Sequence, residues 1–256
     1  MNSKSHVSAK PSHYDQSAEH YDVLNEETSK QINQTIEKIL EKYKLKTVLD
    51  FTCGTGSQAF WLAKRGHNVT GCDISDSMLK VAKKKPKNKN ITLLKGDMRT
   101  KKIGKFDACI TIFNSIGHLT KQDFEKAIRN IHENLKGDGI YIFDIFNLNY
   151  LLKDDNITKF TIDWFKKSGN KMVREIQYST INKQGIMASY TTSIIEYKTR
   201  DPKVTKSAQT LQTYSAAQLK EILKKNGFKV LRQCDIDGTR FSDTKTERIL
   251  TIAKKV

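Results

Sequence analysis

The chain has 256 residues, with 45 basic and 28 acidic side chains and a formal net charge of +17. That length suits one sizeable α/β domain with a modest insertion, and 3 prolines and 13 glycines exclude a low-complexity or collagen-like chain. No apolar run reaches signal-peptide or transmembrane length, so a cytoplasmic protein with no membrane partner is expected. Cys53, Cys72, Cys109 and Cys234 lack metal-ligand spacing and read as reduced core residues, with no metal site.

Residues 1–13 are polar and expected as a disordered tail. Over 27–43, Ile32, Ile36, Ile39, Leu40 and Tyr43 form one helical stripe. TVLDF is a short apolar strand containing Asp50, CGTGS a turn, and QAFWLAKRG a helix stopped by Gly66. NVTGCD is a second strand, after which Ser75 caps a helix with Met78, Leu79 and Ala82 on one face. ITLLKGD and FDACITIF are the third and fourth strands. Residues 120–139 read as a helix entered at Thr120 and Asp123, and IYIFDIF is the fifth strand. Apolar strands alternating with helices over 47–146 imply a parallel sheet covered on both faces.

The rhythm then changes. Residues 158–214 hold period-two stretches without a helix, with turns at Gly169-Asn170 and Lys183-Gln184-Gly185. They are expected as an antiparallel insertion over the parallel domain. Trp164 shares parity with Phe160 and Ile162 and is expected in the core. Arg174 sits among Met172, Ile176 and Tyr178; it either reads a substrate carboxylate or phosphate, or snorkels to a rim or pairs with a neighbour. Ser215 and Gln218 cap a last helix, and FKVLRQC and ERILTIAKK are final strands. The expected division is a core domain of 14–150 with 215–256, and a substrate lid of 151–214.

Gly54-Thr55-Gly56-Ser57-Gln58-Ala59 fits G-x-G-x-x-G/A between a strand and a helix. Its glycines allow close backbone approach to a ligand. Asp73 ends the next strand, 19 residues after Gly54, where a carboxylate accepts hydrogen bonds from a ribose diol. A nicotinamide cofactor is the rival, disfavoured because the chain has no room for a second helical domain.

VLDFTCGTGS, VTGCDIS and LLKGDMRT resemble the motifs of class I S-adenosylmethionine-dependent methyltransferases. The resemblance implies a Rossmann-like seven-stranded sheet, mostly parallel with the last strand antiparallel, and S-adenosyl-L-methionine as cofactor. It assigns Gly54 and Gly56 to the methionine moiety, Asp73 to the ribose, and Asp97 and Met98 to the adenine. Asp50, Thr55, Ile74 and Phe113 complete the expected cofactor set.

FNSIGHL, after the fourth strand, resembles a segment of amino-sugar N,N-dimethyltransferases whose histidine lies near the substrate amine; here it is His118. Histidine suits proton transfer near neutral pH, and the alternative is a ring that merely satisfies a loop carbonyl. Tyr14 and Tyr21 match a tyrosine that lies over the site in those enzymes. Asn114 is a candidate substrate contact, or with Ser115 a backbone cap. FDIFNLNYL and the C-terminal DGTRFSDTKTERILTIAKK look closer to glycine- and sarcosine-type methyltransferases. The expected function is methyl transfer to a small-molecule acceptor, most simply an amine nitrogen. RNA or protein methylation is the runner-up, suggested by the basic charge alone. The sequence does not give the oligomeric state.

Overall fold

The computed structural model describes residues 6–15, 18–19, 21–168, 171–198 and 200–256. Two helices come first, α1 (Tyr21–Leu24) and α2 (Glu26–Lys42). Then β1 (Thr47–Asp50), α3 (Ser57–Ala63), β2 (Asn68–Asp73), α4 (Asp76–Lys84) and β3 (Ile91–Lys95) follow in alternation. β4 (Phe106–Thr111), α5 (Lys121–Asn134) and β5 (Leu135–Phe146) continue it. After the insertion come α7 (Ala216–Lys225), β10 (Phe228–Cys234) and β11 (Arg248–Lys255). The sheet order is β10-β11-β5-β4-β1-β2-β3. β1 to β5 run parallel, and β11 is antiparallel to both of its neighbours. The order reverses between β1 and β4, which opens a cleft at the carboxyl ends of those strands.

Alternation along each strand loads both faces of the sheet. In β5, Tyr141, Phe143 and Ile145 meet Phe124 and Ile128 of α5 and Leu219 of α7. Ile140 and Ile142 join Ile32, Ile36 and Leu40 of α2 and Leu62 of α3 on the other side. Helix entries follow the expected caps. The Thr120 hydroxyl accepts from Asp123 N at 3.2 Å, and Ser215 and Gln218 form a reciprocal capping box. All four cysteines are buried and free.

The insertion is a separate antiparallel sheet, β6 (Ile162–Ser168), β7 (Lys171–Ile181), β8 (Ile186–Tyr197) and β9 (Lys203–Gln212), in that spatial order. It leaves and returns at one place, where Leu148 N donates to Tyr214 O at 3.0 Å. Its base has a small core of Tyr150, Leu151, Met187 and Leu211.

Several expectations change. The helix expected to reach 139 stops at Asn134, because Lys136-Gly137-Asp138-Gly139 favours extended chain and Leu135 already pairs with Phe106. A 3₁₀ turn at Asn156–Phe160 takes the start of the first expected strand of the insertion, and a short helix α6 (Leu148–Leu152) precedes it where no element was expected. Trp164 is only half-buried, since the far end of the insertion sheet is poorly covered. Of the expected tail, residues 1–5 lie outside the described residues, as does the Gly169-Asn170 turn. Residues 6–13 are tied down by hydrogen bonds to α5, to β9 and to the segment after β4. No described helix is long and apolar enough to cross a membrane.

Candidate active site

The loop after β1 turns sharply through Gly54 (φ 51°) and Gly56 (φ 85°), both in the left-handed region that favours glycine. Gly54 N donates to Asp73 Oδ2 at 2.7 Å, and Ser75 N donates to Asp73 Oδ1 at 2.9 Å. The carboxylate therefore staples the two loops together. Burial raises its pKa above the ordinary carboxylate value, against the pull of these donors. Thr55 Oγ1 donates to Asp22 of α1, and Asp22 also pairs with Lys85 at 2.7 Å.

At the end of β3, Arg99 grips Asp97, with Nη2 to Oδ2 at 2.5 Å, and reaches Asp123 with Nη1 at 2.7 Å. Burial pushes the Asp97 carboxyl up, but the Arg99 hydrogen bonds outweigh it and hold the group below its usual value.

Beyond β4 the chain makes two consecutive left-handed residues, Phe113 (φ 62°) and Asn114 (φ 57°). Such a pair is strained for non-glycine residues and needs bracing. Asp144, fully buried in β5, supplies it: Phe113 N donates to Oδ1 at 2.7 Å and Asn114 N to Oδ2 at 3.1 Å. Arg248 of β11 pairs with the same carboxylate. The braced turn feeds a 3₁₀ turn, Ser115–His118.

His118 Nε2 and the Tyr14 hydroxyl are hydrogen-bonded at 2.7 Å. Tyr14 ends a 3₁₀ turn, Pro11–Tyr14, and packs edge-on to Tyr21 and His118. Burial pushes the His118 imidazole down to about 3, helped by His13 and His6, so it is neutral near pH 7. Burial likewise raises the Tyr14 hydroxyl well above 10 and the Tyr21 hydroxyl to about 12. The segment carrying Tyr14 is laced over the cleft. Ala9 N donates to His118 O at 2.9 Å, Ser8 Oγ to Asp123 Oδ2 at 2.6 Å, and His13 Nε2 meets Gln209 Oε1 at 2.9 Å.

One cavity connects these parts. Tyr14, Tyr21, Gly54, Thr55, Asp73, Ile74, Asp97, Met98, Phe113 and His118 all line it. Four candidates do not. Asp50 is fully buried beneath the floor, where burial lifts its carboxyl to about 8, and its Oδ1 accepts from Thr52 N. Gly56 caps α3 behind the loop. Asn114 is a brace, its Oδ1 accepting from Phe146 N at 3.1 Å. Arg174 pairs with Asp163 at 2.5 Å on an exposed face of the insertion sheet, which is the neighbour-pairing alternative.

Sequence reasoning missed Arg99, the Asp144–Arg248 pair and the His6, Ser8 and His13 anchors. For Asp144 a signal existed, a lone charge inside the apolar strand IYIFDIF, whereas Arg248 stands beside Glu247 at the start of ERILTIA, where a charge is ordinary. The residues present fit a polar, nucleoside-bearing cofactor. Two buried polar atoms of the cavity residues, Thr52 Oγ1 and Gln58 Nε2, have no protein partner, and Asp73 borders the same space.

A family model described as a methyltransferase domain matches residues 48–139. An uncharacterized protein of Methanocaldococcus jannaschii is 30% identical over 225 residues, covering 86% of this chain and 76% of that protein. A putative methyltransferase of Geobacillus is 32% identical over 152 residues, or 55% of this chain and 62% of its own length. Glycine N-methyltransferase of Homo sapiens is 30% identical over 133 residues, 44% of this chain and 45% of that one. The dTDP-3-amino-3,4,6-trideoxy-alpha-D-glucopyranose N,N-dimethyltransferase of Streptomyces venezuelae is 32% identical over 100 residues, 38% and 41%. The match thus spans less than two thirds of the Geobacillus protein and less than half of the last two. Among solved structures, an S-adenosylmethionine-dependent methyltransferase from Clostridium acetobutylicum has a TM-score of 0.74 at 20% identity, covering 94% of this chain and 98% of that one.

Proposed function

The chain belongs to the class I S-adenosylmethionine-dependent methyltransferases, and on that premise we propose that it methylates a small-molecule acceptor at an amine nitrogen. The observation that carries this reading is the roof over the site. The segment from His6 to Tyr14 is hydrogen-bonded to strand β9 and to the turn after β4 over the cleft, so among the described residues the cavity is partly covered, which favours a small acceptor over a polymer. The two matched N-methyltransferases, one for glycine and one for an amino sugar, support nitrogen as the acceptor atom. The basic side chains are spread from Lys95 on edge strand β3 to Lys254 on β11, which favours a solvated surface over one nucleic-acid track.

The residues divide the work by position. The Gly54–Thr55 turn would hold the aminoacyl end of the cofactor, Asp73 the ribose hydroxyls, and Ile74, Asp97 and Met98 the base. When bound, S-adenosylmethionine supplies an electrophilic methyl group. His118, kept neutral, and Tyr14, kept protonated, form an uncharged pair at the acceptor end. An uncharged pair does not repel a nitrogen that gains positive charge as its lone pair forms the new bond. It orients that nitrogen and excludes water, while the proton of the product ammonium leaves afterwards.

The test offers the protein amino acids, amino-sugar nucleotides, polyamines and total RNA with S-adenosylmethionine, and reads the products by mass spectrometry. One class of small amine should gain a methyl group; methylation of RNA alone would overturn the reading. With that amine, kcat/KM should rise with pH along the acceptor's own deprotonation and show no inflection near pH 6.5. His118→Gln should lower turnover by ~10²-fold and leave S-adenosylhomocysteine affinity unchanged.

A further inference from the structure

A second cleft lies between α2, α3 and the chain that leaves α4, with a volume of about 360 Å³. Phe60 and Trp61 of α3 give it an apolar wall, Lys64, Lys85 and Lys87 a basic rim, and the buried Asn33 of α2 its base. The rim belongs to a basic stretch: Lys83 to Lys89 holds five lysines and no acidic residue. Lys83 and Lys84 complete the last turn of α4, where they complement the helix dipole. Lys64 and Lys87 are exposed and have no acidic partner among the described residues. The three rim cations thus converge on one concave place against their mutual repulsion. A second observation is polar. Asn33 is 2% exposed, and its Oδ1 is a buried acceptor with no partner, while Nδ2 reaches Ser57 Oγ at 3.5 Å. A buried acceptor left open is costly, and a donor on a ligand would satisfy it.

We propose that this cleft binds a nucleoside phosphate that regulates cofactor binding and is not itself methylated. The base lies along Phe60 and Trp61 with its exocyclic amine turned to Asn33, and the phosphate sits among Lys64, Lys85 and Lys87. Each part of the cleft matches one part of that ligand. Aromatic side chains take a flat ring, and lysines hold phosphate as point charges. The volume falls in the range of small-ligand sites. Trp61 is fixed before a ligand arrives: Arg65 covers its ring at 3.7 Å and Nε1 donates to Glu37 at 2.8 Å. The cleft also communicates with the cofactor site. Ser57 lines both spaces. Lys85 pairs with Asp22 of α1 at 2.7 Å, and Asp22 accepts from Thr55 Oγ1 in the glycine turn. A phosphate at the rim competes with Asp22 for Lys85. It thereby loosens the tie that holds α1 against the turn, and the cofactor binds less tightly.

The cleft lies outside the acceptor end, so the inference stands apart from the choice of acceptor. Titration calorimetry of the full chain with S-adenosylhomocysteine, at increasing adenosine monophosphate, tests it. In the wild type the affinity for S-adenosylhomocysteine should fall about 5-fold and then level off, because coupling between two sites has a ceiling. Ribose 5-phosphate, which lacks the base, should have less than about half that effect. Lys64→Glu with Lys87→Glu, both at exposed positions, should abolish the nucleotide effect and leave S-adenosylhomocysteine affinity in its absence unchanged. A fall that never levels off, or that persists in this variant, would put the nucleotide in the cofactor cavity and overturn the proposal. An equal effect of ribose 5-phosphate, or no effect of the nucleotide at about 5 mM, overturns it as well.

Discussion

Asp73 accepts hydrogen bonds from Gly54 N and Ser75 N, so its carboxylate is aimed before any ligand arrives. Asp73→Ala should weaken S-adenosylhomocysteine binding by roughly 1–3 kcal/mol, the cost of a buried hydroxyl losing its acceptor. Titration calorimetry reads this directly, and unchanged affinity would remove Asp73 from the ribose role. The Asp144–Arg248 pair works one step further from the chemistry. It holds Phe113 and Asn114 left-handed and so fixes where His118 stands. Arg248→Ala leaves a buried carboxylate short of its cation and should lower the unfolding free energy by about 3 kcal/mol in urea titrations. A loss below ~1 kcal/mol would mean the two backbone donors suffice. The two residues differ in legibility for a physical reason. Asp73 sits at a fixed offset from a glycine turn, so spacing alone exposes it. Asp144 and Arg248 are 104 residues apart and meet only because β11 inserts beside β5.

At the scale of elements, the segment from His6 to Tyr14 is the part whose order depends most on its surroundings. It has one short 3₁₀ turn and no core of its own. Its anchors are His118, Asp123, Leu119 and Thr210, scattered through the sequence. A short stretch with no apolar periodicity therefore reads as a tail, and only the fold reveals it as a cover. The strands and helices of 47–146 were legible from their periodicity and, for α4 and α5, from the Ser75 and Thr120 caps, while the exit of α5, the entry of β5 and the exit of β4 were misread. The cover also responds to pH. With the cover closed, the pKa of His118 is pushed down to about 3. Once the cover lifts, the ring returns toward ~6.5. Above pH 6.5 both states are neutral and nothing is lost. Below it the open state takes up a proton that the closed state refuses, so closure weakens by about 1.4 kcal/mol per pH unit, or about 2 kcal/mol at pH 5. The Ala9 amide, which donates to His118 O, is the reporter. Its hydrogen-exchange protection, corrected for intrinsic rate, should fall roughly 30-fold from pH 7 to pH 5. His118→Gln should flatten that dependence, and an equal fall in the variant would assign it elsewhere.

For the whole molecule the net charge of +17 sets two opposing salt effects. Screening weakens exposed pairs such as Lys102–Glu133 and Lys254–Asp138, which contribute little to begin with. It also relieves self-repulsion, which acts over longer distances and sums over the whole excess of cations. The buried Asp144–Arg248 pair is little affected. Raising sodium chloride from about 0.01 M, with a screening length near 30 Å, to about 1 M, near 3 Å, should therefore raise the calorimetric Tm. A falling Tm would mean that local pairs outweigh the net charge. The same titration separates the two acceptor classes. A small amine entering a covered cavity releases few counterions, so its kcat/KM should stay within about 2-fold between 50 and 200 mM salt. An RNA held by six to ten phosphate contacts loses about 10³-fold or more in affinity over that range. Activity that tracks the steep curve would move the acceptor to the basic surface, and activity that ignores it keeps the acceptor under the cover beside His118.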